Sequence, residues 1–448
     1  MTLAQHFAHF IKGLRLEHIP EEVINKARTC VLNGYGIALG SHTTAFAPVA
    51  GKAVLAMDGE RECGATLLSD GRRTTTAGAT LANAALFHGR AQEDTCGVAH
   101  FGAVLLPLLT GLLEEGNGVI EDFLPALIAG YEIGGALESA YSPITTAAGL
   151  RASPLYGSVA AAAAVSRLWN LSVEQTTSAL ANAASFTGGI LQSFGDGTDE
   201  WRYQVGMAGR NGLASAWLAR AGSVSAVNAF EGRSGFIQAF VRQAPDVDAI
   251  AEKLGKDWSV LKVTFKPHPV CALNQTPVSA AIELRDRLDG RRIEAVRVYL
   301  NPTVVGYAGM DTEGPFHSVS GTLMSIQFCV ATTLLYGTPT IARMGHFDDP
   351  GVSHLIPRVK PLADPDMGLL SCRIEADVEG ESICIDRRVD HTEYAYDRKQ
   401  VSELVRRIGE ETGVPPAAYD RLEKFTNELP YADLNDVFAA FKNIQKAG

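Results

Sequence analysis

The run FKPHPVC at residues 265–271 sets Lys266, His268 and Cys271 within six positions, with Pro267 and Pro269 between them. Lysine, histidine and cysteine can all move protons, and the prolines stiffen the loop while withholding backbone donors. One such side chain alone reads as a surface group; three at a change of secondary-structure pattern point to acid/base chemistry. Three other stretches carry chemistry. HGRAQEDTCGVAH, His88 to His100, is a polar run between two apolar helices with Glu93, Asp94, Thr95, Cys96 and His100. Its spacing matches no known metal-ligand set, so it reads as a catalytic loop or as a loop capping two helices. GLRASPLYG puts Arg151 and Tyr156 at the start of an Ala-rich helix, where an arginine opposes the helix dipole unless an anion is bound. GDGTDEWRYQVGMAGRNG carries Arg202 and Tyr203, and a guanidinium suits two-pronged contact with a carboxylate. Without those ligands, both stretches read as ordinary loops bearing solvated charges.

No phosphate-binding P-loop, dinucleotide fingerprint, HExxH or GxSxG pattern accompanies these groups. Cofactor-free acid/base chemistry without a metal is therefore expected.

The elements that position these groups change character along the chain. From residue 1 to about 260 nearly every segment reads helical, as in GSVAAAAAVSRLWNL and SVEQTTSALANAASF, and Ser172 followed by Gln175 marks a helix start. Alternating patterns then predict strands at WSVLKVTF, RRIEAVRVYLN, LSCRIEADV and SICIDRRV, with helices between them. Helices return after about residue 391. The predicted fold is mainly α with an α+β second domain: a helical domain over 1–261 and 392–448, and an inserted α+β lid over 262–391. Ligands favour the cleft between such domains.

With 448 residues, 46% hydrophobic and 20% charged, the chain can build two cores. A net charge of −11 without a basic run argues against nucleic acid. Every apolar run is broken before it could span a bilayer, and the N-terminal stretch has no export-type apolar core. Seven scattered cysteines suit a reducing compartment. A cytoplasmic protein acting on a small anionic carboxylate is expected, with neither nucleic acid nor membrane as partner.

PEEVINKARTCVLNGYGIALGS, ANAALFHGRAQEDT, HFGAVLLPLLTGL, GSVAAAAAVSRLWNLS and FKPHPVC resemble, in order, segments of the MmgE/PrpD family, and the likeness covers nearly the whole chain. The resemblance implies a helical domain made from both chain ends, an inserted lid, a homodimer and an active site between domains. It also exposes departures. Ala91 stands where the family's dehydratases and decarboxylases carry an aspartate, Arg151 replaces a histidine, and Trp201 or Arg202 a lysine. Cys271 replaces a histidine of the decarboxylases, and Phe328 a tyrosine. Lys266, His100 and the Glu93–Asp94–Thr95 run are retained. Within the family this combination is most similar to members that epimerise iminodisuccinate, which implies an isomerase drawing a proton alpha to a carboxylate and returning it to the other face. The alternatives are a tricarboxylate lyase, either 2-methylcitrate dehydratase-like or cis-aconitate decarboxylase-like, and a non-catalytic helical binding protein. Under the epimerase reading Lys266 or Cys271 serves one face and His100 or Asp94 the other. Arg151, Arg202, Tyr203, Thr95, His268 and Tyr156 would hold the substrate. All four stretches would then converge on one polar pocket.

Overall fold

The computed structural model describes residues 1–244 and 246–445. Its architecture is mainly α with a smaller α+β part. At the centre lies the helix Ala152–Leu168, in which every residue except Arg167 is buried. Its run of alanines and small residues lets the helices Phe123–Ala147 and Glu200–Arg220 approach closely on either side. A capping box at Ser172 starts the next helix, with the Ser172 hydroxyl accepting from Gln175 N and the Gln175 side chain accepting from Ser172 N.

The chain end returns to this body. Helices Arg398–Thr412, Pro416–Glu428 and Asn435–Gln445 pack on Glu21–Gly40 and its neighbours. Tyr35 meets the edges of Phe425 and Phe441, with ring centroids 6.0 and 6.5 Å away. Gly36 and Gly40, one turn apart, form the seam with Arg398–Thr412. A Cβ on Gly36 would lie 2.4 Å from Val405 Cγ1, and one on Gly40 2.2 Å from Ile408 Cγ2.

Outside the hairpin of β1 (Ala65–Thr66) and β2 (Arg73–Thr74), one sheet contains β3 (Ile293–Leu300), β4 (Val359–Ala363), β5 (Cys372–Val378) and β6 (Glu381–Arg387) in the order β4-β3-β5-β6. β3 runs parallel to β4 and antiparallel to β5, and β5 is antiparallel to β6. Strict alternation buries Cys372, Ile374, Ala376 and Val378 of β5. Helices Gln275–Leu288 and Ile326–Tyr336 complete this second core. β4 was not expected from the sequence.

WSVLKVTF is not a strand. Glu132 accepts from Ser259 N and Val260 N, each at 3.0 Å, and the chain turns into the 3-10 helix Ser259–Lys262. Only Thr264 pairs in β fashion, through a two-way backbone bridge with Thr95 at 2.9 Å in each direction. Ala91, Leu191, Phe194 and Trp201 from the helical stretch join the second core, so the two parts share a packed seam.

The Gly36 seam generates a prediction. Gly36→Val leaves the helix intact but forces Val405 aside, and should lower unfolding stability by about 1–3 kcal/mol. The urea midpoint measures it; an unchanged midpoint would mean that the tail helix does not bear on this surface.

Candidate active site

Helix Thr76–Phe87 ends at His88, and the chain then turns sharply, with Ala91 held in the left-handed region at φ 57°. That turn delivers Gln92 and Glu93 inward, and the Thr95–Thr264 bridge aligns them with the segment leading to Lys266. Glu93 and Lys266, 2% and 3% exposed, form a buried ion pair through Glu93 Oε1. His100 Nδ1 lies 3.5 Å from the same oxygen and 2.9 Å from Asp94 O. Both neighbours are acceptors, so Nδ1 carries the proton and Nε2 presents a lone pair. Glu93 Oε2 lies 3.0 Å from His88 Nδ1, close but out of hydrogen-bond alignment.

Arg151 closes the other side of His88. Its Nη2 donates to His88 Nε2 at 2.7 Å, and Nη1 donates to Trp201 O and, at 3.1 Å, to Gln204 Oε1. The Trp201 ring stands edge-on to His88, with centroids 4.6 Å apart. Arg202, fully buried, lies between the rings of Phe46 and Trp201, with its guanidinium carbon 3.8 and 3.9 Å from their centroids. Its Nη1 donates to Ser320 Oγ, while Nε and Nη2 have no partner among the described residues.

The electrostatics follow from burial against charge. Burial would raise Glu93, but His88, Lys266 and His100 outweigh it and hold the carboxyl well below the usual range. Burial lowers His88 to about 4, and burial together with the Lys266 charge keeps His100 well below an ordinary histidine. Both rings are neutral at pH 7. Burial lowers Arg151 to about 10 and Arg202 to about 9, so both remain cations.

Glu93, His100, Arg151, Arg202 and Lys266 are thus gathered from all four stretches, but they are packed shut instead of lining an open pocket. A groove of about 240 Å³ beside Lys12, Arg15 and Arg167, and a smaller one beside Glu132 and Lys253, touch none of them.

Several expected site residues point elsewhere. Asp94 accepts from Tyr131 OH and sits over Gly102 at the start of the helix Phe101–Glu114, so it is not placed for proton transfer beside Lys266. Its carbonyl, not its carboxyl, serves the site. Thr95 Oγ1 pairs with Thr264 Oγ1 at 2.9 Å and aligns backbone. Cys271 is near the cluster, but burial raises its thiol, against the expected thiolate. His268 faces Ser279, 3.2 Å from Nε2, and burial lowers it to about 3. Tyr203 packs on the Phe46 and Leu81 cluster. Tyr156 is core, its hydroxyl 2.7 Å from Thr145 Oγ1. Arg151, expected to grip a carboxylate, has its fork occupied by protein acceptors. His88 and Trp201 were not among the expected site residues, although His88 opens the quoted motif and Trp201 is one of the two positions that could match a family lysine.

Among the described residues no group of three His, Cys, Asp or Glu side chains is arranged to hold a metal ion, and no helix is long and apolar enough to cross a membrane.

The model of the MmgE/PrpD N-terminal domain matches residues 5–247, and that of the C-terminal domain residues 268–408. The chain belongs to the MmgE/PrpD family. Relatives within reach of this MmgE/PrpD chain include the cis-aconitate decarboxylase-like protein oryM of Aspergillus oryzae, 28% identical over 75% of this chain and 74% of the relative. The cis-aconitate decarboxylase of Aspergillus terreus is 24% identical over 78% and 74%, and that of Homo sapiens 24% over 90% and 85%. A decarboxylase is a lyase. These relatives overturn the isomerase expected from the resemblance, which rested on a few substituted site positions and not on the similarity of the whole chain.

Asp94 supplies a pH prediction. Burial, opposed by the Tyr131 hydrogen bond, raises its pKa to about 6. A carboxyl raised on folding lends stability that is fully present below its unfolded value of about 4 and is lost as pH rises through 6. Asp94→Asn keeps an acceptor for Tyr131 and does not ionise. Relative to wild type it should therefore gain stability between pH 4 and 6, read from urea unfolding across that range; a pH-independent difference would contradict the raised carboxyl.

Proposed function

We propose that this chain is a lyase that decarboxylates a small tricarboxylate of the cis-aconitate class, with the α+β part opening as a lid to admit it. The observation that carries the reading is the buried Lys266–Glu93 pair beside Arg202, whose two unpaired N–H groups can take a carboxylate. The names of the relatives support the substrate class.

In this reaction the bond from carbon to one carboxylate breaks and carbon dioxide leaves. The electron pair stays on the substrate, spread toward a remaining carboxylate, and a new C–H bond then takes up one proton. Arg202 would hold that remaining carboxylate and stabilise its growing charge. The proton comes from Lys266, held in the buried pair beside Arg202, and solvent restores it through the neutral His100, the most exposed ring of the cluster with 13% of its side chain accessible. Glu93 orients Lys266, while Arg151 holds His88 beside Glu93.

Incubation with cis-aconitate should release one carbon dioxide per product, with NMR showing a dicarboxylate. A product that keeps three carboxylates would replace this reading with a dehydratase. Lys266→Ala should reduce turnover by roughly two to four decades. Arg202→Lys keeps the charge and loses the fork, so it should raise KM and lower kcat; an unchanged KM would remove Arg202 from substrate binding.

A homodimer is part of the proposal. Phe186, Ile190 and Met207 are exposed, the carbonyls of Phe186 and Ile190 accepting from Asn211 and Gln204 on either side of Met207 along the helix, and these apolar side chains suit a second copy. Met207→Glu should shift the sedimentation coefficient to that of a monomer.

A further inference from the structure

Lys266 is gripped at both ends by consecutive residues. Glu93 pairs with its ammonium, and Gln92 Nε2 donates to the carbonyls of Lys266 and Pro267 at 3.4 and 3.1 Å. Pro267 and Pro269 contribute no N–H of their own, so at these positions the loop is held through carbonyls, while His268 N donates to Gln275 Oε1 at 3.0 Å. Arg407 Nη2 adds a second donor to Pro267 O at 3.0 Å.

The Gln92 amide has two ends, and it clamps these carbonyls only with its N–H₂ facing them. Arg90 sets that orientation. Its Nε donates to Gln92 Oε1 at 2.9 Å, and a guanidinium has no acceptor, so the amide cannot turn its nitrogen toward Arg90 without loss. Arg90 is itself fully buried and anchored twice more. Nη1 lies 3.4 Å from Gly40 O, and Nη2 donates to Glu411 Oε2 at 2.6 Å. The second Glu411 oxygen accepts from Ile341 N at 2.9 Å. Glu411 belongs to the tail helix Arg398–Thr412, and Ile341 lies between β3 and β4 in the α+β part. One line of hydrogen bonds therefore runs from the α+β part through Glu411, Arg90 and Gln92 to the backbone that carries the proton donor.

We infer that Arg90 and Gln92 are positioning residues for Lys266, a role that rests on the lyase reading above for its catalytic meaning. They fix the lysine's main chain while Glu93 fixes its ammonium, so that the ammonium cannot swing away when substrate enters and the pair with Glu93 is disturbed. Neither residue moves a proton or meets substrate. A displaced donor lowers the chemical step and leaves ground-state binding, which Arg202 governs, almost unchanged.

The test uses Gln92→Leu, which removes the clamp at similar volume, and Arg90→Lys, which keeps a cation toward Glu411 but loses the Nε–H that orients Gln92. Each should lower kcat by about 10²-fold, the scale of a small misplacement, with KM within about threefold. The double variant should lose no more than the worse single one, because both act through one amide. A second readout is independent of the reaction: acetic anhydride labelling of Lys266, followed by peptide mass spectrometry, should be severalfold faster in Gln92→Leu than in wild type. Additive losses in the double variant, or a loss confined to KM, would overturn the inference. So would wild-type labelling of Lys266 in a folded Gln92→Leu protein. Faster labelling in a protein that releases no carbon dioxide from cis-aconitate would uphold the positioning and reject the lyase reading instead.

Discussion

The buried pair of Glu93 and Lys266 is the interaction on which the site depends. Removing one member of such a pair leaves a charge in a dry interior, at a cost of about 3–5 kcal/mol. The pair is therefore held by geometry on both sides. The Thr95–Thr264 bridge aligns the two backbones, and Tyr394 O takes the Phe265 N–H at 2.9 Å just before the lysine. Neutral His88, held by Arg151, packs beside Glu93 without adding a positive charge to compete with Lys266. Burial makes that possible by keeping His88 uncharged.

Around the pair, three cations meet two buried carboxylates, Glu93 and Asp94. Arg151, Arg202 and Lys266 face Glu93, with Asp199 3.6 Å from Arg202 at the rim. An acidic chain has concentrated positive charge in one buried place, and an anionic substrate would complete it. Two guanidinium nitrogens of Arg202 lack a partner among the described residues, whereas the Arg151 fork is filled. That contrast separates an arginine free for substrate from one that holds the framework, and residue type alone could not separate them.

Much was legible in the chain. The change from helical period to alternation at about residue 260, the capping box at Ser172 and three of the four strands of the main sheet follow from local pattern. So does the clustering of chemistry at 88–100, 151, 202 and 266. The errors share a cause. WSVLKVTF alternates like a strand, but Glu132, more than a hundred residues away, takes its N–H groups into a turn. Tyr156 and Tyr203 sit beside arginines in sequence, yet their directions are set by the faces of the helices that carry them, and both enter apolar packing.

The sequence by itself determined the mainly helical body, the α+β segment within it and the residues able to move protons, because propensity, period and residue type act over a few positions. Tertiary structure decided which of them meet. Glu93 and Lys266 lie 173 positions apart, and only packing of the two parts brings their charges together. Burial then decided protonation, keeping His88 and His100 neutral and raising the Cys271 thiol, since the removal of water is a property of the fold and not of the residue.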